Sequence, residues 1–354
     1  MTRSHFGTIK RIDDTKCRIF WQQGGKKRSE TVYGTVEDAE LALAQHKLDS
    51  KGTVEDVTVE EYWKIAVEPT FDALSERTRY DYERLWRVEL RPRFGDYRFS
   101  MLNWRLVERN LSEIASPIVQ RDSYRLLKKV CNLAVRDGLL KSNPVDRSIR
   151  LKPYHKKEKV VFSREELPIF MEKARAQKHY YLAMLEIGGG LRHEEACAVT
   201  QADLEPFEQD GRSYLAVKVD KALTSVGGRK VLKDTKNGFS VREVVIGEPF
   251  ASEILSAMGN IPVQDPMRYQ SNPITISRSW KRYCANNGIR HAPFSNMRTM
   301  FSVLHAEAGS LDSLVSLAMG HSGQTTRSRN YLKQTRAGMV LIADNLTDYL
   351  LGAQ

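Results

Sequence analysis

The chain has 354 residues, 41% of them hydrophobic, which predicts two or three domains with real cores. No stretch approaches the roughly 18 apolar residues of a membrane span. The start, MTRSHFGTIKR, lacks the apolar centre of a signal peptide, so a soluble, unexported protein is expected. Lys+Arg total 55 against 44 Asp+Glu, and this net charge of +11 suits either a polyanionic partner, nucleic acid above all, or a merely basic enzyme.

Residues 1–52 read as a small β module. Short β-rich runs at 7–10, 17–22 and 30–33 are divided by turn signals at Asp13-Asp14 and Gly24-Gly25. Thr35 to Asp38 fits a capping box that opens a helix. Three strands and one helix make a thin core. Lys10, Arg11, Arg18, Lys26, Lys27 and Arg28 crowd this module, with Trp21 among them. A basic sheet with aromatics can enter a DNA groove, and a solvated charged face is an equally good reading.

Residues 53–148 read as four helices, over 58–67, from a cap at Thr78, over 104–114 and over 123–137. Tyr82, Leu85, Trp86 and Leu90 share one face of the second, a stripe that suits a core better than a binding surface. Residues 149–159 are polar and basic and include Lys156 and Lys157, which fits a linker that either tethers or touches phosphates. Residues 160–354 form the largest unit. A helix capped at Ser163 and an apolar helix over 180–187 run into the triple glycine Gly188 to Gly190. Alternating runs at 214–219, 229–232 and 242–246 predict a small antiparallel sheet, and the rest is helical, including a tail with Leu341, Ile342, Leu346, Tyr349 and Leu350 on one stripe. The predicted fold is multidomain α+β.

The four cysteines form no CxxC pair, and no HExxH, Walker loop or GxGxxG is present. No zinc site, disulfide framework or nucleotide cofactor is predicted. Chemistry resides in short motifs instead. Gly190-Leu-Arg192 places an arginine at a helix start, where its fork can meet a phosphate, and Glu195 lies one turn on, able to hold that guanidinium. Lys236 precedes Asn237-Gly238, a hairpin signal that puts the lysine near a turn tip. Ser295, Arg298 and Thr299 share a predicted helix; Gly320-His321 and Tyr331 follow. Each motif taken alone suits an ordinary surface pair, turn or core phenol. Their order and spacing carry more weight.

That order resembles the tyrosine recombinases, and among them the phage-type integrases. By this resemblance Arg192 and Arg298 are the two catalytic arginines, Glu195 the acidic residue beside the first, Lys236 the hairpin lysine, His321 the late histidine and Tyr331 the nucleophile. The turn Arg91-Pro-Arg-Phe-Gly95 resembles that of a core-binding helical domain, and the N-terminal module resembles an arm-binding domain. The chain departs from the pattern at Ser295, where the family usually has histidine, and at Thr299, where it has histidine or lysine.

The resemblance implies an arm-type DNA-binding domain at 1–52, a core-binding domain at 53–148, a linker at 149–159 and a catalytic domain at 160–354. It implies site-specific integration and excision through a 3′-phosphotyrosine link, without a cofactor or metal. The expected partners are double-stranded DNA, a homo-tetramer assembled on it, and a directionality factor or a host DNA-bending protein; no membrane is expected. The expected location is the cytoplasm of a bacterial host, on the nucleoid. A DNA-binding protein with impaired catalysis and a type IB topoisomerase-like activity are the alternatives.

Overall fold

In the computed structural model the described residues are all but 1, 4–6, 24–25, 51–56, 147, 157, 235–240, 322–333 and 353–354. Two compact units divide the chain, residues 1–155 and 156–354. The α+β class is as expected.

In the first unit, strands β1 (Thr2–Arg3), β2 (Gly7–Asp13), β3 (Lys16–Gln23) and β4 (Lys26–Tyr33) form an antiparallel sheet in chain order. Three of these strands were expected, each shorter; the two-residue edge strand β1 was not. Period-two alternation sends Ile9, Cys17, Ile19 and Trp21 inward against Ala39 and Leu43 of helix α1 (Val36–Ser50). Lys10 and Arg18, partners across β2 and β3, are exposed, as are Arg11, Lys26, Lys27 and Arg28. The capping box is present: Asp38 accepts from the Thr35 backbone N–H at 2.7 Å, and Thr35 Oγ1 accepts from that of Asp38 at 3.3 Å.

A second cluster is helical. After the Thr58-capped turn Val59–Tyr62, the backbone widens through one π turn, Trp63–Val67. Helix α2 (Glu76–Leu85) begins earlier than the Thr78 cap predicted, because the Ser75 hydroxyl accepts from the Thr78 N–H and takes the cap itself. Helix α3 spans Trp104–Ser112, and α4 spans Pro117–Arg136, starting six residues before the predicted 123 because Ser116 caps it and Pro117 takes its first position. The aromatic stripe is core: Trp63 and Trp86 stack at 4.3 Å. The residues read as a linker divide. Ile149 is buried in the helical cluster, and the Lys152 N–H donates to Gln120 Oε1 at 2.8 Å.

The second unit is built on α5 (Glu166–Ala174), the fully buried α6 (Tyr180–Gly189) and the single turn α7 (His193–Ala196). Strands β5 (Leu204–Gln209), β6 (Arg212–Val219) and β9 (Arg242–Ile246) form one sheet in the order β5-β6-β9. Between β6 and β9 the chain makes a separate hairpin, β7 (Lys221–Val226) with β8 (Arg229–Asp234). Strand β8 pairs with β7 and β9 with β6, and Asn237-Gly238, read as a hairpin signal, lies outside the described residues. Helices α8 (Phe250–Ser256), α9 (Pro273–Asn286), α10 (Phe294–Glu307), α11 (Asp312–Ala318) and α12 (Arg336–Leu351) complete the unit.

Two features of this core set up the site. A Cβ at Gly188 would lie 2.7 Å from Phe250 and one at Gly189 2.9 Å from Ile246, so both glycines let α6 press against α8 and β9. Gly190 then turns left-handed at φ +65°, which delivers Arg192 to the start of α7. No helix among the described residues is long and apolar enough to cross a membrane.

Candidate active site

Arg192 is the N-cap residue of α7, and the Glu195 carboxylate reaches back to its N–H at 2.8 Å. The Arg192 guanidinium is 41% exposed; Nη1 donates to Glu195 Oε1 at 2.6 Å and Nη2 to the Gly320 carbonyl at 3.0 Å. Arg298, one turn into α10, is more enclosed. Its Nη1 donates to the Gly190 carbonyl at 2.6 Å and its Nη2 to that of Met319 at 2.7 Å. The same Nη2 lies 3.0 Å from His321 Nε2. Thus Arg192, Arg298, His321 and Glu195, far apart in the chain, come together.

Burial, then the Arg192 charge, lowers the Arg298 pKa to about 10, which leaves it cationic at neutral pH. Burial would raise Glu195, but Arg242 and Arg192 outweigh it and hold the carboxylate below its usual range. His321 is exposed on one side; partial burial, then Arg298, Arg192 and Arg242, lower its pKa, so it is neutral at pH 7. Since guanidinium only donates, His321 Nε2 accepts and the ring proton sits on Nδ1.

Ser295 is exposed on the first turn of α10, and its carbonyl accepts from Thr299 Oγ1 at 3.3 Å. Lys159, from the stretch read as a linker, donates to Thr299 Oγ1 at 2.6 Å, bringing an ammonium to the helix face where those two residues lie. Lys236, Tyr331 and Lys157 lie outside the described residues. Lys156 is exposed. Among the described residues, no group of three or more His, Cys, Asp or Glu is arranged to hold a metal.

The structure adds residues that motif reading missed. Arg242 opens β9 with its side chain 1% exposed, Nη2 donating to Glu195 Oε2 at 2.8 Å and Nε to the Ala318 carbonyl at 2.6 Å. In the sequence it stands in an alternating β run, with nothing to mark a partner 47 positions earlier. Three successive carbonyls, of Ala318, Met319 and Gly320, therefore each accept from a different arginine. Gly320 has φ +64°, and a Cβ there would sit 3.0 Å from Arg242 Nη1. Beneath α7, His193 stacks on Phe294 at 4.3 Å and its Nδ1 lies 2.8 Å from the fully buried Glu186. Hairpin β7–β8 is fastened to the same turn, with Thr224 and Lys233 both donating to Glu194.

No family model matches the chain. The integrase of Mycobacterium phage FRAT1 is 23% identical over 287 residues, covering 77% of this chain and 83% of that protein. Among solved structures, the Tn1549 transposon integrase, in complex with a circular intermediate DNA, superposes with TM-score 0.60 at 19% identity, over 82% of this chain and 99% of that one. A lambda integrase dimer bound to a COC′ core site superposes with TM-score 0.55 at 14% identity, over 95% and 99%. The motif order, the fold and these three named likenesses point the same way: the chain is similar to phage and transposon integrases and shares the fold of the Tn1549 and lambda enzymes.

Proposed function

We propose that this chain is a phage-type integrase of the tyrosine recombinase family, a site-specific recombinase of a mobile element that breaks and rejoins DNA through a 3′-phosphotyrosine at Tyr331. The observation that carries the reading is the convergence of Arg192, Arg298 and His321 on one turn, 318–321, although Arg192 and His321 are 129 positions apart (321 − 192).

Attack on a phosphodiester builds negative charge on the non-bridging oxygens. Two planar, permanently charged forks suit that charge, and the Nδ1–H of His321 adds a third donor. A free phenol, with pKa near 10, is ionised only about one part in a thousand at neutral pH. The surrounding cations lower the cost of forming phenolate, and the Tyr331 oxygen attacks phosphorus in line. The bond to the 5′ oxygen breaks as the tyrosyl ester forms, and Lys236 gives that leaving oxygen its proton. A 5′-hydroxyl of a partner strand reverses the step, so rejoining needs no nucleotide. Serine at 295 is a poor base, so the phenolic proton has another acceptor than the family's usual histidine.

In the same reading, residues 1–52 bind arm sites through Lys10, Arg11, Arg18, Lys26, Lys27 and Arg28, 53–148 bind core sites, Lys156 and Lys157 touch phosphates, and 160–354 carry out the chemistry. Lambda integrase has been captured as a tetramer bound to a Holliday junction, over 90% of this chain with TM-score 0.54. A homo-tetramer on DNA, located with the host chromosome, is the corresponding proposal here, aided by a directionality factor or a DNA-bending protein.

The test is a nicked suicide substrate carrying the attachment site. Wild type forms a covalent protein–DNA adduct and Tyr331→Phe forms none. Adduct from both would remove Tyr331 as nucleophile; binding without adduct from wild type would leave an attachment-site binder. Relaxation of supercoiled plasmid without a partner site would favour the topoisomerase-like alternative.

A further inference from the structure

The chemistry above leaves Arg242 without a task. At 1% exposure its side chain does not meet a ligand, yet it is tied to both halves of the site. Its Nη2 contacts Glu195 Oε2 and its Nε the Ala318 carbonyl, the first of the three carbonyls that also receive Arg298 and Arg192. The turn is moulded around it: a Cβ at Gly320 would meet the guanidinium at 3.0–3.2 Å.

Charge balance gives this contact a consequence. Glu195 is 3% exposed and faces three guanidiniums, with Arg192 Nη1 at 2.6 Å, Arg242 Nη2 at 2.8 Å and Arg298 Nη1 at 4.0 Å. A buried carboxylate must be paired with cations. With Arg242 in place, three guanidiniums share one carboxylate, and the cluster keeps a net charge of two for an incoming anion. Were Arg242 absent, Arg192 and Arg298 alone would balance Glu195, and the net positive charge facing a phosphate would fall by half.

We propose that Arg242 is a positioning residue for strand cleavage. It adds a buried positive charge behind Glu195 and fixes the 318–320 turn, so that Arg192, Arg298 and Glu195 together with it present a net charge of two to the scissile phosphate. This rests on the function proposed above and adds to it a residue that never touches DNA.

The experiment compares single-turnover adduct formation on the nicked substrate with equilibrium DNA binding, for wild type, Arg242→Met, Arg242→Lys and Arg242→Met/Glu195→Gln. Arg242→Met is expected to slow adduct formation on the order of a hundredfold, comparable to losing one preorganised donor, while DNA affinity stays within about twofold, since many other phosphate contacts remain. Arg242→Lys, which keeps a buried cation, recovers much of the loss. The double variant is faster than Arg242→Met, because the carboxylate that competes for the arginines is gone. Wild-type rates in Arg242→Met, binding lost in step with cleavage, or a double variant slower than the single one would each overturn the proposal. Where Arg242→Met fails to fold, Arg242→Lys with and without Glu195→Gln gives the same comparison. A second readout needs no catalysis. In free protein the His321 ring resonances shift in Arg242→Lys if the turn depends on the fork, and unchanged resonances overturn the proposal. Absence of adduct from wild type overturns the functional reading instead.

Discussion

Arg298 donates through Nη2 to the imidazole Nε2 of His321 at 3.0 Å, so a permanent cation fixes the tautomer of a neutral ring. Partial burial and then Arg298 itself depress the His321 pKa. The contact is complete above the unfolded value, about 6.5, and is lost as pH falls through the lower folded value. In the free protein, nitrogen-detected NMR should show the Nδ1–H tautomer at pH 7 and a midpoint below 6.5. Arg298→Gln should raise that midpoint; an unmoved midpoint would show that the arginine does not govern the ring.

Much of this pairing was legible in the sequence, and its limits are physical. Arg192, Glu195, Arg298 and His321 were readable because each stands in a short motif whose order is distinctive. Arg242, Lys159 and Glu186 were not, because each acts through a distant partner: Glu195, Thr299 and His193 respectively. Strands β5 and β7 were missed because Pro206 interrupts the first and the second is buried almost throughout, which erases period two. The cap at Thr78 was misplaced because Ser75 offers the same hydroxyl three residues earlier. The mixed α+β class survived these errors, since it rests on long helices and on the alternation of 214–219 and 242–246.

Glu186 and His193 give a second pH signature. Burial pushes Glu186 up to about 7. Burial opposes charge on His193, but hydrogen bonds to Cys197 and Glu186 prevail and raise its pKa. A carboxyl that ionises near 4.5 unfolded and near 7 folded makes the fold lose stability as pH rises between those values, and no further above them. Glu186→Gln keeps an acceptor for Nδ1–H and removes the titration. Its stability relative to wild type should climb across pH 4.5 to 7 by at most about 1.4 kcal/mol per pH unit, the slope of one proton. Denaturant melts across that range decide the point; a constant gap would contradict the assignment.

Gly190 and Gly320 support the site by shape. Both are left-handed, and a Cβ would meet the Phe301 ring at 2.8 Å in one case and the Arg242 guanidinium at 3.0 Å in the other. Gly138 is left-handed too, but a Cβ there meets nothing within 4 Å. Gly138→Ala should cost about 1–2 kcal/mol from backbone strain alone, and Gly190→Ala clearly more, because a buried ring must also move. Thermal melts of the two variants test the ranking, which equal losses would refute.

Arg192→Ala and Arg298→Ala should separate chemistry from binding. Each is expected to reduce adduct formation at least about a hundredfold, while affinity for core-site DNA falls far less. Gel shifts beside adduct gels measure both. Parallel losses would demote these arginines to ordinary phosphate contacts.

The three neighbouring carbonyls at 318–320 carry one further implication. Because consecutive peptide units serve three different guanidiniums, adding or deleting a single residue between 312 and 320 would rotate every one of those oxygens off its donor together. Length variation among viable relatives should therefore avoid this stretch and collect in the surface connections, such as the Gly227-Gly228 bend of hairpin β7–β8.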